Sequence, residues 1–179
     1  MFKVFVIEDI VTLSVSEYVG DKRNILFQKL SNKYINKVIH GVGLAIALDG
    51  DFLKCESRIL PNDGSAHYTL IFKLLVFSPV INEVFKANVI LYNKNFIKLS
   101  IGFFSDLHII PNSLPEIYKY DETNGYWLKI DGDADVPIKT DNLVEFKILD
   151  IIYNHEAEDD GISTGMELLP ILLVIGTIV

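Results

Sequence analysis

A single cysteine, Cys55, leaves no partner for an internal disulfide and too few thiolates for a zinc site. That scarcity suits a reducing compartment, cytosol or nucleus. Cations are also in short supply: 16 Lys and Arg stand against 24 Asp and Glu, for a net charge of −8. So acidic a chain is a poor candidate for salt-driven duplex binding, which needs many cations to displace phosphate counterions. Any nucleic-acid contact is expected to be local and single-stranded. The deficit is uneven. Residues 1–80 carry nine Lys and Arg against eight Asp and Glu, a net of +1, whereas residues 81–179 carry seven against 16, a net of −9.

Long apolar runs are missing too. The nearest candidate, Leu168 to Val179, holds 12 residues, where a membrane-spanning helix needs roughly 20. Pro170 and Gly176 oppose a helix there, and the β-branched run Ile171–Ile175 reads as a buried strand, with a tail anchor or signal remnant as the alternative. The opening Met1–Asp9 lacks the basic start and longer apolar region of a signal peptide. No membrane association is expected.

Catalytic patterns are absent as well. Gly41-Val42-Gly43 is a lone GxG with Ile46 where a dinucleotide site needs a third glycine, so it reads as relief of a curved strand. Asp131–Asp135 begins like a calcium loop, but Val136 and Asn142 replace the required glycine and glutamate. His155 with Glu156, Glu158, Asp159 and Asp160 lacks the paired histidines of a zinc hydrolase, and His40, His67 and His108 are scattered. Neither catalytic residue, metal nor cofactor is expected.

What is present is β pattern. Val11, Leu13 and Val15 alternate with Thr12, Ser14 and Ser16, and Phe2–Ile7 reads as a more buried strand before them. Leu26, Leu30, Tyr34 and Val38 form an apolar stripe on a helix over 21–38. Strands follow over 39–48, with 52–60 as partner, and over 67–77, where Tyr68, Leu70, Phe72, Leu74 and Val76 share a face. Pro61-Asn62-Asp63-Gly64 is a turn between them. Charge balance shifts near residue 80, which sets a boundary between domains 1–80 and 81–179. Beyond it, 84–92 and 96–103 form a hairpin, and short strands over 107–110, 126–130, 136–139, 144–152 and 168–179 suggest a small closed barrel. The acidic loop 154–165 is expected to be mobile.

The hairpin separates two faces. Phe85, Ala87, Val89 and Leu91, matched by Ile97, Leu99, Ile101 and Phe103, form a core face. Lys86, Asn88, Ile90, Tyr92, Phe96, Lys98 and Ser100 form the other, with Lys94 at the turn. Rings that stack bases, interleaved with ammonium groups that meet phosphates, are what single-stranded nucleic acid needs. Lys86, Asn88, Tyr92, Lys94, Phe96 and Lys98 are the candidate RNA-binding residues, although a solvated strand face has the same composition. The faces of Tyr118, Lys119, Tyr126 and Trp127 are not assigned by pattern.

Several stretches resemble one family. Phe2–Val11 resembles the first strand of the stalk subunits of multisubunit RNA polymerases, the archaeal E-like members among them. Asn36–Leu44 resembles their helix-to-strand step, Phe72–Pro79 the strand leaving their first domain, and Leu60–His67 their Pro-Gly-Asp-Gly turn, with Asn62 in place of a glycine. Leu99–Pro111 and Pro170–Ile178 look most like the polymerase III member. Asn82-Glu83-Val84 departs from the family's Gly-Glu-Val, and Ala87 stands where glycine is common.

The resemblance implies a mostly β, α+β chain: a truncated ribonucleoprotein-like tip, then an S1-type OB barrel. It implies a non-catalytic nuclear subunit supporting initiation, with a helical HRDC-type partner, the polymerase core and emerging single-stranded RNA as its contacts. Pro61, Asn62, Asp63 and Gly64 would face the core. A stalk subunit of another polymerase, or a free-standing S1 RNA-binding protein, is the alternative.

Overall fold

A computed structural model describes residues 1–60, 64–131, 134–154 and 172–179. The chain is mostly β and divides into two compact units, Met1–Ser78 and Pro79–Val179.

The first unit contains β1 (Phe2–Leu13), a 3-10 turn (Val15–Tyr18), α1 (Lys22–Tyr34), β2 (Val38–Ile39), β3 (Gly43–Leu48), β4 (Lys54–Ile59) and β5 (Ala66–Phe77). The long central strand β5 organises it. One side of β5 pairs antiparallel with all of β1, from Phe2↔Phe77 to Leu13↔Ala66. The other side takes β4 along Ala66–Ile71 and β3 along Leu74–Phe77. The 52–60 strand thus pairs with β5 rather than with its chain neighbour. Gly43 permits the β3 junction: its φ is 139°, and a Cβ there would lie 2.1 Å from the Phe77 carbonyl oxygen.

The apolar stripe of α1 does what its spacing predicts. Leu26 and Leu30 pack into a core with Val11, Leu13, Ala45, Leu70, Phe72, Leu74 and Val76. The Asp21 carboxylate caps the helix by accepting from the Arg23 amide. Asn36, at φ 61°, ends the helical path, so Val38 starts β2 instead of extending the stripe. Two expectations fail at β1. Val15 is 60% exposed because the strand gives way to the 3-10 turn after Leu13. Phe2–Ile7 is not a more buried strand, because only one face of β1 is covered. Its odd-numbered residues face α1, while Val4, Val6 and Ile10 are 51%, 62% and 61% exposed on the opposite face.

Two carboxylates tie this unit together. Asp9 accepts from Lys33 Nζ at 2.7 Å and from the Tyr34 hydroxyl at 3.0 Å, joining β1 to α1. Burial opposes its ionisation, but the bonds from Lys33, Tyr34 and the Ile10 amide outweigh that and hold it below its ordinary value. Glu17 is lowered to about 2, first by Lys29 and then by the Ser14 amide and hydroxyl. Groups whose folded pKa is depressed stabilise the fold above their ordinary range, and the contribution is lost as pH falls through the folded value. Stability of this unit should therefore decline below about pH 4. Asp9→Asn should cost on the order of 1 kcal/mol at neutral pH and much less in acid. Hydrogen exchange of the α1 and β5 amides at both pH values checks this.

The second unit runs through β6 (Val84–Tyr92), β7 (Ile97–Ser100), β8 (Leu107–Ile109), a 3-10 turn (Pro111–Ser113), β9 (Tyr118–Asp121), β10 (Tyr126–Asp131), β11 (Ala134–Pro137), β12 (Leu143–Tyr153) and β13 (Leu172–Ile178). Five strands close a barrel in the order β6-β7-β8-β13-β12 and back to β6. All contacts are antiparallel except β8 with β13, which is parallel. Ala87, Val89, Ile97, Leu99, Leu107, Ile109, Phe146, Ile148, Leu172, Val174 and Ile178 are buried and fill it. The C-terminal apolar run is thus, over Leu172–Ile178, a barrel strand. Among the described residues, no helix is long and apolar enough to cross a membrane.

The hairpin alternation holds through Val89 and then breaks. A bulge at Ile90 re-registers β6, so that Leu91 opposes Lys98 and Tyr92 opposes Ile97. Leu91, expected in the core, is 51% exposed. The pattern also places Phe103 inside. Strand β7 instead stops at Ser100, Gly102 turns at φ 91°, and Phe104 takes the buried place while Phe103 is 46% exposed. Between β8 and β12 the chain inserts a separate antiparallel sheet, β11-β10-β9.

Candidate nucleic-acid interface

The outer surface of β6, β7 and β8 carries most of the candidate residues, and the pleat explains why. Ile97, Leu99, Leu107 and Ile109 point into the barrel, so Lys98, Ser100 and His108 between them point out. Lys98 stands opposite His108 on one side and Leu91 on the other. Asn88 opposes Ser100, and Lys86 opposes Glu145 of β12. Phe96 enters this surface from the β6–β7 turn, with its ring stacked on His108 at 5.0 Å between centroids and 4° between planes. Lys86, Asn88, Phe96 and Lys98 thus share the outer surface, Lys86 at its β12 side. Tyr92 is not, because the bulge sets it opposite the buried Ile97 and leaves it half-buried.

The turn is built by Asn93, whose side-chain oxygen accepts from the amides of Asn95 and Phe96, both at 2.8 Å. The Asn93 carbonyl accepts from Trp127 Nε1 at 2.9 Å, which fastens β10 of the inserted sheet to the turn. Trp127 is buried and meets Tyr120 edge-on at 5.3 Å. Its face, unassigned by pattern, is therefore inward. Lys94 reaches across from the turn to Glu122 of the same inserted segment. That hydrogen bond raises the Lys94 pKa and lowers that of Glu122.

Each candidate lysine has a carboxylate neighbour: Lys86 with Glu145 at 3.9 Å, Lys94 with Glu122, and Lys98 with Asp106 at 3.0 Å. The pairs of Lys86 and Lys94 are well exposed and hold their carboxylates weakly, so a phosphate can replace the carboxylate there at little cost, whereas the pair of Lys98 with Asp106 is half-buried. They also flatten the local field, which limits long-range attraction. The face is suited to short-range capture of a strand that stacks on its rings.

Sequence pattern makes His108 an ordinary, scattered histidine. Its place between Leu107 and Ile109 is the signal that sets it apart, since alternation puts it outside. Its Nε2 is buried and has no hydrogen-bond partner. Burial first, then the charge of Lys98, pushes its pKa down, with Asp106 pulling the other way.

Of the turn at 61–64, only Gly64 is described. Its φ is 70°, and its carbonyl accepts from the Tyr18 hydroxyl at 3.1 Å. Pro61, Asn62 and Asp63 lie outside the described residues, as do Gly132 and Asp133 of the acidic turn at 131–135, His155 and its acidic neighbours, and nearly all of loop 154–165.

A family model described as RNA polymerase III subunit Rpc25 matches residues 83–167. The DNA-directed RNA polymerase III subunit rpc8 of Schizosaccharomyces pombe is 32% identical over 136 residues, covering 74% of this chain and 66% of that protein. The protein of the same name from Dictyostelium discoideum is 28% identical over 156 residues, covering 87% and 62%. The DNA-directed RNA polymerase subunit Rpo7 of the archaeon Saccharolobus solfataricus is 23% identical over 125 residues, covering 70% and 69%. The matches thus span between 62% and 66% of the length of the two rpc8 relatives.

Proposed function

This chain belongs to the stalk-subunit family of multisubunit RNA polymerases, close to its polymerase III members, and from that premise we propose that it is the non-catalytic stalk subunit of a nuclear DNA-directed RNA polymerase III. In this reading the first unit is the truncated ribonucleoprotein-like tip. It docks on the polymerase core through the turn of Pro61, Asn62, Asp63 and Gly64. The second unit is an S1-type OB domain that receives emerging RNA. A helical HRDC-type subunit binds alongside, and the pair supports initiation.

The observation that carries the RNA-binding part is the barrel itself. Numbered within the barrel, its strands run 1-2-3-5-4 and back to 1, with strands three and five parallel. A five-stranded Greek-key barrel is the OB architecture, and OB domains bind oligonucleotides on the face of strands two and three and on the loop between strands one and two. Here those places hold Lys98, Phe96 and His108, and the Asn93–Asn95 turn with Lys94. Stacking supplies ~1–3 kcal/mol per base, and three lysines supply the phosphate contacts.

The test is Lys86→Ala, Lys94→Ala and Lys98→Ala combined. Binding of a single-stranded RNA oligonucleotide should weaken, and the slope of log affinity against log salt should move from about −2 toward zero. Partner binding should be kept. Unchanged RNA affinity at low salt would remove this face from the proposal. Separately, affinity purification of the tagged chain should recover the large polymerase subunits. A soluble monomer that stays out of polymerase fractions would instead be a free-standing S1 protein.

A further inference from the structure

Lysines and rings account for binding on the β7–β8 face, but neither accounts for the imidazole among them. His108 sits opposite Lys98 in the ladder and lies flat against Phe96. A phosphate that meets Lys98 therefore arrives beside the imidazole. We propose that single-stranded RNA binds this face together with a proton, which His108 takes up, so that affinity rises as pH falls. The inference rests on the RNA-binding reading above and adds to it the control of that site by pH.

In the free chain a charged imidazole is disfavoured for structural reasons. Its Nε2 is buried without a partner, and an ammonium group is its neighbour. A proton added there finds no acceptor at Nε2. The groups around it can be named. Lys98 faces it from β7, and Asp106 from the segment entering β8. Phe96 covers it from the β6–β7 turn. On β13 its ladder partner is Ile175, followed on the same face by Thr177, and neither titrates. One strand further, β12 carries Lys147 opposite Thr177 and Asp150 opposite Ile175.

RNA changes this balance in one direction. Asp106 already offsets part of the Lys98 charge, and a phosphate that joins it at Lys98 adds further negative charge beside the imidazole. The bound state then holds the proton more tightly than the free state. By linkage, a ligand whose binding takes up a proton binds more tightly as pH falls.

The experiment uses the full chain and a short labelled oligouridylate, whose base does not titrate in this range. Anisotropy is read at constant ionic strength from about pH 8 to about pH 5.5. Affinity should rise about three- to tenfold. His108→Phe keeps a flat ring and removes the titration. Whatever its affinity at high pH, its profile should be flat. In the unmutated chain, NMR of the His108 ring should show its titration midpoint moving up on saturation with RNA, a readout independent of any variant's folding. A flat profile for the unmutated chain, an equal slope in His108→Phe, or a midpoint that does not move would each overturn the inference. An equal slope would point to His155, the other histidine of residues 79–179. RNA binding that ignores Lys86, Lys94 and Lys98 at every pH is a different failure, that of the face itself.

Discussion

Gly176→Ala should destabilise the barrel by about 3 kcal/mol or more, because it overpacks a site that cannot yield. A Cβ at this position would lie 2.2 Å from the Lys147 carbonyl oxygen and 2.4 Å from the Phe146 ring. The ring could turn only by leaving the core, where Phe146 is fully buried. The carbonyl belongs to β12 at the point where its register with β13 is about to shift, so moving it disturbs the ladder. The backbone of Gly176 is otherwise ordinary, and space alone is the issue. Trp127 is the sole tryptophan and lies in this unit. Urea unfolding followed by its fluorescence therefore reads the barrel without the first unit. A midpoint within error of the unmutated chain would mean that β12 and β13 do not approach so closely.

Val6→Lys with Ile10→Lys should abolish recovery of the HRDC-type partner proposed for this chain while leaving the first unit folded. Both side chains are more than 60% exposed, so charging them costs the isolated fold little. They lie with Val4 on the face of β1 turned away from α1, exposed apolar side chains interleaved with Glu8 and Lys73. If a partner covers it, each lysine introduces a desolvated charge, and a loss of about 2 kcal/mol per position is expected. The pair should then bind ~1,000-fold more weakly. Co-expression and pull-down check this, with circular dichroism to show that the chain is folded. Recovery of the partner with loss of the core subunits would assign the face to the core instead. Recovery of both would leave it without a binding role.

Legibility of this fold in the sequence followed the range of the interactions that set it. The α1 stripe, the β5 alternation and the Asn93 turn are specified within a few residues, and each was readable. The barrel was readable as a class, because its strands are short, regular and separated by turn residues. What escaped depends on distant neighbours. The Ile90 bulge places two residues of β6 against one step of β7, and nothing local marks it. That bulge exchanged Leu91 and Tyr92 between faces. The choice of Phe104 over Phe103 depends on Gly102 turning the chain, which two adjacent phenylalanines cannot reveal. The open face of β1 escaped because an apolar strand reads as buried whether its cover is in the same chain or in another. Among candidate site residues, the lysines were visible by composition. Their carboxylate partners were not, because Glu122, Glu145 and Asp106 reach them from other strands and connections.

The parallel seat of β13 between β8 and β12 fixes a temporal order in making the protein. The first unit draws every strand from residues 2–77 and can assemble while synthesis continues. The barrel cannot close then, since its last stave is inserted between two that were made earlier. A nascent chain halted before residue 172 would carry a finished head and a split cylinder with two unpaired rims. Unpaired rims are what chaperones and aggregates both recognise, so the interval before closure is when this polypeptide is most exposed to loss.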